Sequence, residues 1–465
     1  MSDYLFMLES HLTPAQREAL AAVEKAAAER DCQLFLVGGA MRDMMGGFPI
    51  RDLDFAVQGS GLALANQLKR KAEAEVVETD PHRKTAELRF PNGVTVEVGM
   101  LRSERFPQPG GRPVVKPADI HEDLMRRDFT INSIALSLHP ASRGLLLDPA
   151  NGIGDIERRE LRANSNYGLY DDPVRILRLL RFQIRLGFSI QERTQEQYEN
   201  AREAGVEKLI QPRDLFRELQ AIAAETSSAE VVRKLADEGL MELFSPALQG
   251  SKLNLNALAR LDKARQMVPH GIDLHLDTLA LFLYFLTEKL TPKEHSALIK
   301  NLAITKDEAQ RWRRLEARSR ALERDVKSKT KLRRTSEIFE RLQRARGEEI
   351  LFLYLHSKER LVRDRIRNYL EKYLYTAMEV TDRDVTAAAG IEPGHPEFAA
   401  VKQAMVAARL DGRKWTPPPH LGPKAEEEGP GEAPGRSGRG RRKKAAAEPA
   451  AKPEKPARRR TAGRS

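Results

Sequence analysis

The sequence predicts an α+β chain: a mixed sheet with helices in its first third, then helices almost throughout. Three observations carry this reading. Up to about residue 150, short apolar runs alternate with turn signals; beyond Asn151, apolar residues recur at i, i+3 and i+4; and from Thr416 onward the apolar pattern ceases. At 465 residues, and with domains of roughly 100–200 residues each, several compact units are expected. We place their boundaries at 1–150 for the sheet-containing unit, at 151–220, 221–330 and 331–415 for helical ones, and at 416–465 for a tail.

QREALAAVEKAAAERD has the spacing of an amphipathic helix, and CQLFLVGG reads as a buried strand ending in glycines. A helical MRDMM, a GGFP turn and the strand DLDFAV follow. GLALANQLKRKAEA is helical; AEVVET, TAELRF and VTVEVGML read as strands, the last two joined by the hairpin signal PNG. DPVRILRLLRFQIRLGF, PRDLFRELQAIAAE, AEVVRKLADEGLMELF, TLALFLYFLTEKL and RIRNYLEKYLYTAM then carry helical periodicity. Residues 416–465 hold nine Pro, seven Gly and one large apolar side chain, Leu421, too little to offset the entropy of ordering, so this tail is expected to be disordered.

The chain carries 78 Lys+Arg against 67 Asp+Glu, a net charge of +11, of which +7 belongs to residues 416–465. That balance is compatible with a polyanionic partner and does not by itself identify one. Cys32 is the single cysteine, which excludes an intrachain disulfide and a thiolate metal cluster and makes the reducing cytoplasm the expected compartment, with no disulfide-linked partner. The longest apolar run, 279–286, is far short of the roughly 20 residues of a membrane span, so no membrane association is expected. The opening MSDYLFMLESHLTPAQ lacks the basic stretch and cleavage site of a secretory leader.

Asp52 and Asp54 are the first candidates for chemistry. Residues two apart on a strand share a face, and two adjacent carboxylates repel unless a divalent cation resolves them. Mg²⁺, which takes carboxylate and phosphate oxygens together, suits such a pair. An ordinary surface pair is the alternative. Gly38 and Gly39 end the preceding strand, with Arg42 in the helical turn beyond, where the backbone would approach a triphosphate and a helix start would offer it N–H groups. The plain reading is a tight strand–helix turn. Glu97 is a third acid on a neighbouring strand, its face opposite to Val96 and Val98; otherwise it is a solvated edge residue. In RRDFTINSIAL, Arg127 and Asp128 would hold phosphates and ribose hydroxyls, or else form a salt-bridged helix start. In DDPVRILRLLRF, Asp172 reads as an N-cap before Pro173, and Arg175, Arg178 and Arg181 recur every three residues as a fan of guanidinium groups; an amphipathic helix with solvated arginines is the alternative.

Taken in order, LVGGAMRDMMGGFPIRDLDFAV, HEDLMRRDFTINSIAL, LLLDPANGIGDIERRELR and DDPVRILRLLRFQIRLGF resemble the class II tRNA nucleotidyltransferase and bacterial poly(A) polymerase family, across about residues 30–190. A fainter likeness runs through VTDRDVTAAAGIEPGHPEF. The resemblance implies a polymerase-β-like nucleotidyltransferase head, catalytic, followed by an all-α neck, body and tail. It implies that Asp52 and Asp54 bind the metal and that Glu97 is the third catalytic acid. Gly38, Gly39, Arg42, Arg127 and Asp128 would meet the nucleotide. Asp172, Arg175, Arg178 and Arg181 would read the incoming base, so that protein groups select CTP or ATP. It further implies Mg²⁺ as cofactor and tRNA, through its acceptor arm and 3′ end, as partner, with the 331–415 unit helping to bind it.

Two departures are small: Asp171 stands where the neck motif usually has Glu, and Asn151 replaces a glycine of the third motif. His270 and His275 do not form the constellation of an appended phosphohydrolase. No GRRF-type element lies between Glu75 and Phe90, which favours tRNA addition over poly(A) synthesis. The expected activity is addition of CCA to tRNA; poly(A) polymerase, CC-only or A-only addition, and a catalytically silent RNA-binding protein remain the alternatives.

Overall fold

The computed structural model describes residues 3–272 and 274–421, so the 416–465 tail lies almost wholly outside the described residues. Helices α1 (Asp3–His11) and α2 (Pro14–Ala28) come first. Thr13 and Gln16 form a capping box at the start of α2, with Pro14 at its first position. Strand β1 (Leu34–Val37), helix α3 (Gly39–Met45), strand β2 (Leu53–Val57) and helix α4 (Gly61–Lys71) follow, then β3 (Glu75–Asp80), β4 (Thr85–Arg89) and β5 (Thr95–Met100). These match the expected strands. A separate hairpin, β6 (Arg102–Arg105) with β7 (Val114–Pro117), leads into α5 (Ile120–Met125). The short strands β8 (Ala135–Ser137) and β9 (Leu146–Leu147) complete one seven-stranded sheet in the order β3-β4-β5-β2-β1-β8-β9.

That sheet is mixed. β2 pairs with β5 in parallel, and the other neighbouring pairs are antiparallel. One face carries Leu34, Leu36, Leu53, Phe55, Val57, Leu88, Val96 and Val98, all buried in the main core, where α2 and α4 cover it. The other face has only a small apolar cluster built on Phe35, Val37, Ala56, Leu101, Leu124 and Ala135. Alternation along the strands therefore sends every acid of β2, β4 and β5 to this second face.

Asn151, the residue standing in for a glycine, has φ of +57°, a left-handed conformation that asparagine tolerates far better than branched residues. The substitution thus keeps the turn that starts α6 (Gly152–Arg158). Beyond it lie α7 (Gly168–Asp171), α8 (Val174–Leu186), α9 (Glu192–Glu203) and α10 (Pro212–Ala224), and helices continue to Phe398–Leu410. α8 buries Ile176, Leu177, Leu179 and Leu180, each contributing about 1.5–3 kcal/mol when removed from water, and ends at Gly187 in the left-handed region. Among the described residues, no helix is long and apolar enough to cross a membrane.

Candidate active site

Strand register assembles the acids. Asp54 lies opposite Val37 on β1 and opposite Glu97 on β5; Glu97 in turn faces Glu87 on β4, which faces Glu78 on β3. Asp52, one residue before β2, shares the face of Asp54. Glu97 is therefore not on a sheet edge: its strand is interior, and its exposure is to a cleft of about 830 Å³. Burial, together with the charges of Glu97 and Asp52, pushes the Asp54 carboxyl up to about 7, against the pull of Arg127 and Arg42. Burial also raises Asp52, opposed by Arg185 and Arg51. None of Asp52, Asp54 and Glu97 has an ion-pair partner within 4 Å among the described residues.

This donor set fits a divalent cation. Two carboxylates on one face lack a cation partner, and no three acidic, imidazole or thiolate side chains among the described residues close into a cage. A site with two protein carboxylates leaves its other positions to water and phosphate oxygens, the usual habit of Mg²⁺.

The glycine turn sits against the acids. Gly38 has φ of +68°, and a Cβ added there would lie 2.9 Å from an Arg127 guanidinium nitrogen and 3.4 Å from Asp54 Oδ2. At Gly39 the nearest atoms are 3.6 and 3.7 Å away, ordinary contact. Gly38→Ala is therefore expected to lower unfolding free energy by about 1–3 kcal/mol and weaken nucleotide binding, with Gly39→Ala close to neutral in stability. Denaturant melts and nucleotide titration of the two variants check this; equal stability of both would refute it.

One polar chain joins three of the sequence motifs. Arg42 donates to Asn132 Oδ1 at 2.7 Å, Asn132 donates to Asp128 Oδ1 at 2.9 Å, and Asp128 Oδ2 pairs with Arg178 at 2.8 Å. Burial would raise the Asp128 carboxyl, but Arg178, Arg175 and its hydrogen bonds hold it below the usual range. Arg127 pairs with Asp123 at 2.9 Å, and its Nε is buried without a partner beside the glycine turn. Arg126 and Arg127 follow the last turn of α5, so they close a helix and do not start one.

The neck helix departs from both sequence readings. Asp172 makes no side-chain cap: Pro173 already has helical angles because α7 runs almost directly into α8, and the Asp172 carboxylate instead accepts from Arg175 Nε at 3.1 Å. Nor are the arginines solvated. Arg175, 8% exposed, also donates to the carbonyls of Arg126 and Arg127. Arg181, 6% exposed, is held by Glu218 at 2.6 Å and Glu225 at 2.9 Å. Only Arg178 is half-buried, its Nε unpartnered. All three arginines, with Asp172 and the acid row, line the same cleft. Sequence reasoning missed Glu87, Asn132, Arg185, Glu218 and Glu225. It also missed Phe182, whose ring lies 5.0 Å from the Arg42 guanidinium and 4.7 Å from that of Arg181.

Residues 34–162 match the family model of the poly A polymerase head domain. That match takes in just over a quarter of the chain, and together with the tRNA nucleotidyltransferases among its relatives it supports a class II tRNA nucleotidyltransferase. Over 423 residues, 89% of the chain, it is 26% identical to the A-adding tRNA nucleotidyltransferase of Geobacter sulfurreducens, covering 47% of that protein. Over 183 residues, 38% of the chain, it is 37% identical to the CC-adding tRNA nucleotidyltransferase of Deinococcus radiodurans, again covering 47%. The chain thus spans about half the length of the curated relatives it matches. A solved CCA-adding enzyme in an apo form shares the fold, with a TM-score of 0.51 at 23% identity, covering 89% of this chain and 96% of that one. The nucleotidyltransferase family is metal-dependent, in keeping with the unpartnered acid pair.

Proposed function

We propose that this chain is a template-independent tRNA nucleotidyltransferase that builds the 3′ CCA end from CTP and ATP. The observation that carries the reading is the single cleft in which the acid row forms the floor and the arginine-bearing neck helix a wall. Asp52 and Asp54 would hold Mg²⁺, which when bound supplies Lewis-acid activation and neutralises charge developing on phosphate oxygens. Glu97 lies beside Asp54 to accept the proton of the attacking 3′-hydroxyl. Gly38 and Gly39 let the backbone approach the triphosphate, and Arg42, Arg127 and Asp128 orient phosphates and ribose. Asp172 and Arg178 retain unspent acceptor and donor atoms toward the cleft and would read the base edge. Arg175 and Arg181, committed to internal partners, hold that helix in place. The helical units 151–220, 221–330 and 331–415 would brace the tRNA acceptor arm by its shape and phosphates.

A-only addition is the second reading, favoured by the relative aligned over 89% of the chain. The test is incubation with tRNA ending at the discriminator base, at C and at CC, with CTP, ATP or both, reading product lengths. CCA completion on all three substrates is expected. Extension only of the CC-ended tRNA, by ATP, assigns A-addition. Processive ATP tailing of unstructured RNA assigns poly(A) synthesis, and no incorporation anywhere overturns the catalytic reading.

A further inference from the structure

Asp52 lies outside the ladder that fixes Asp54. Residues 48–52 have no regular structure, so backbone pairing does not set where the Asp52 carboxylate stands. The Phe48 amide donates to the Asp43 carbonyl at 2.7 Å at the start of this segment, and two side-chain ties hold its later part. Gln16 donates to the Ile50 carbonyl at 3.0 Å, and Arg51, the neighbour of Asp52, donates to Glu225 Oε2 at 2.9 Å.

Glu225 is the far anchor of the Arg51 tie. It caps the C-terminal end of α10, is 2% exposed, and serves arginines from two different parts of the fold with one carboxylate. Oε1 receives Arg181 NH1 at 2.9 Å; Oε2 receives Arg51 and lies 3.8 Å from Arg185 Nε. Arg185 in turn pairs with Asp43 at 2.9 Å, and Asp43 with Arg42 at 2.7 Å. Burial would push the Glu225 carboxyl up, but Arg181, Arg185 and Arg51 outweigh it and hold it ionised. A buried charge so surrounded is costly to desolvate, and replacing it with apolar packing would serve stability at least as well. What the arrangement does provide is a fixed distance between the neck helix and the segment carrying Asp52.

Building on the proposed activity, we propose that Glu225 is a positioning residue for nucleotidyl transfer: it holds Arg51, and so sets Asp52 relative to the neck helix. A misplacement of about 1 Å at a reacting centre costs on the order of a hundredfold in rate, without a matching loss in ground-state binding. The prediction is therefore a split between kcat and KM. In the full chain, Arg51→Met and Glu225→Gln should each lower kcat by about tenfold to a hundredfold, with nucleotide KM changed by less than about threefold. The double variant should be no slower than the slower single one, because both remove the same tie. Arg51→Lys, which keeps the charge, should recover most of kcat. Melting curves should keep all variants folded at the assay temperature. Arg51 is partly exposed, so its variants decide the matter even if Glu225→Gln does not fold. A kcat of Arg51→Met within about twofold of wild type overturns the proposal, as does a double variant whose losses multiply. A wild-type chain that incorporates no nucleotide overturns the functional reading and this inference with it.

Discussion

Asp54→Asn is expected to cut nucleotide incorporation by about a thousandfold or more and, in metal-free buffer, to raise the melting temperature. The two effects share one cause. Asp54 is fixed inside the sheet by its partners Val37 and Glu97, and burial with two neighbouring acids pushes its carboxyl up to about 7. The unfolded chain pays none of this penalty. Asparagine keeps the shape and removes one of three crowded negative charges, so the fold gains while a cation held as proposed would lose a ligand. The sign with pH follows. With the folded pKa raised above 3.8, the neutral form is favoured in the fold, and wild-type stability from this group is lost as pH rises toward about 7. The melting-temperature difference between Asp54→Asn and wild type should therefore grow from pH 4 to about 7 and then level off. Adding Mg²⁺ should raise the wild-type melting temperature and narrow that difference. Calorimetry across pH, with and without Mg²⁺, reads all of this; a variant less stable than wild type at pH 8 without metal would sink the account.

How much of this site was legible in the sequence depended on whether a neighbour was local. Alternation along β2 fixes the face of Asp54 and suggests the same face for Asp52 just ahead of the strand, and Gly38 announces its turn because few other residues adopt its backbone angles. The four acids of β2, β4, β5 and β3 could not be aligned from sequence, since register requires knowing which strands pair and in which direction. β8 and β9, three and two residues long, are too short to show any period. The arginine fan was visible as spacing, yet its fate was decided by Glu218 and Glu225, 37 and 44 residues from Arg181, for which helical periodicity has no signal. Asp172 misled for a local reason. An acid before proline at the start of an apolar helix is the pattern of a cap, but the short helix α7 delivers Pro173 already in helical conformation and leaves no cap position to fill.

That correction changes what Asp172 and its neighbour should do when altered. As a cap, Asp172→Ala would cost about 1 kcal/mol, and Asp172→Ser would restore it. Because the carboxylate caps nothing and its contact with Arg175 is partly exposed, Asp172→Ala should leave the melting temperature nearly unchanged, and Asp172→Ser should behave like alanine. If Asp172 reads the base edge with Arg178, both substitutions should still admit UTP or GTP, eroding discrimination by about tenfold to a hundredfold, the worth of one good bidentate pair. Arg175→Ala should behave differently, because Arg175 also donates to backbone carbonyls. Its removal leaves the Arg126 carbonyl without its side-chain donor inside the protein, at a cost of about 1–3 kcal/mol, while Asn164 still serves the Arg127 carbonyl, so a drop in melting temperature should accompany any change in selection. Competition assays with all four nucleoside triphosphates, run beside melting curves, separate the two roles. The base-reading assignment fails if Asp172→Ala remains strict for CTP and ATP, because no loss of stability is available to explain away a retained preference.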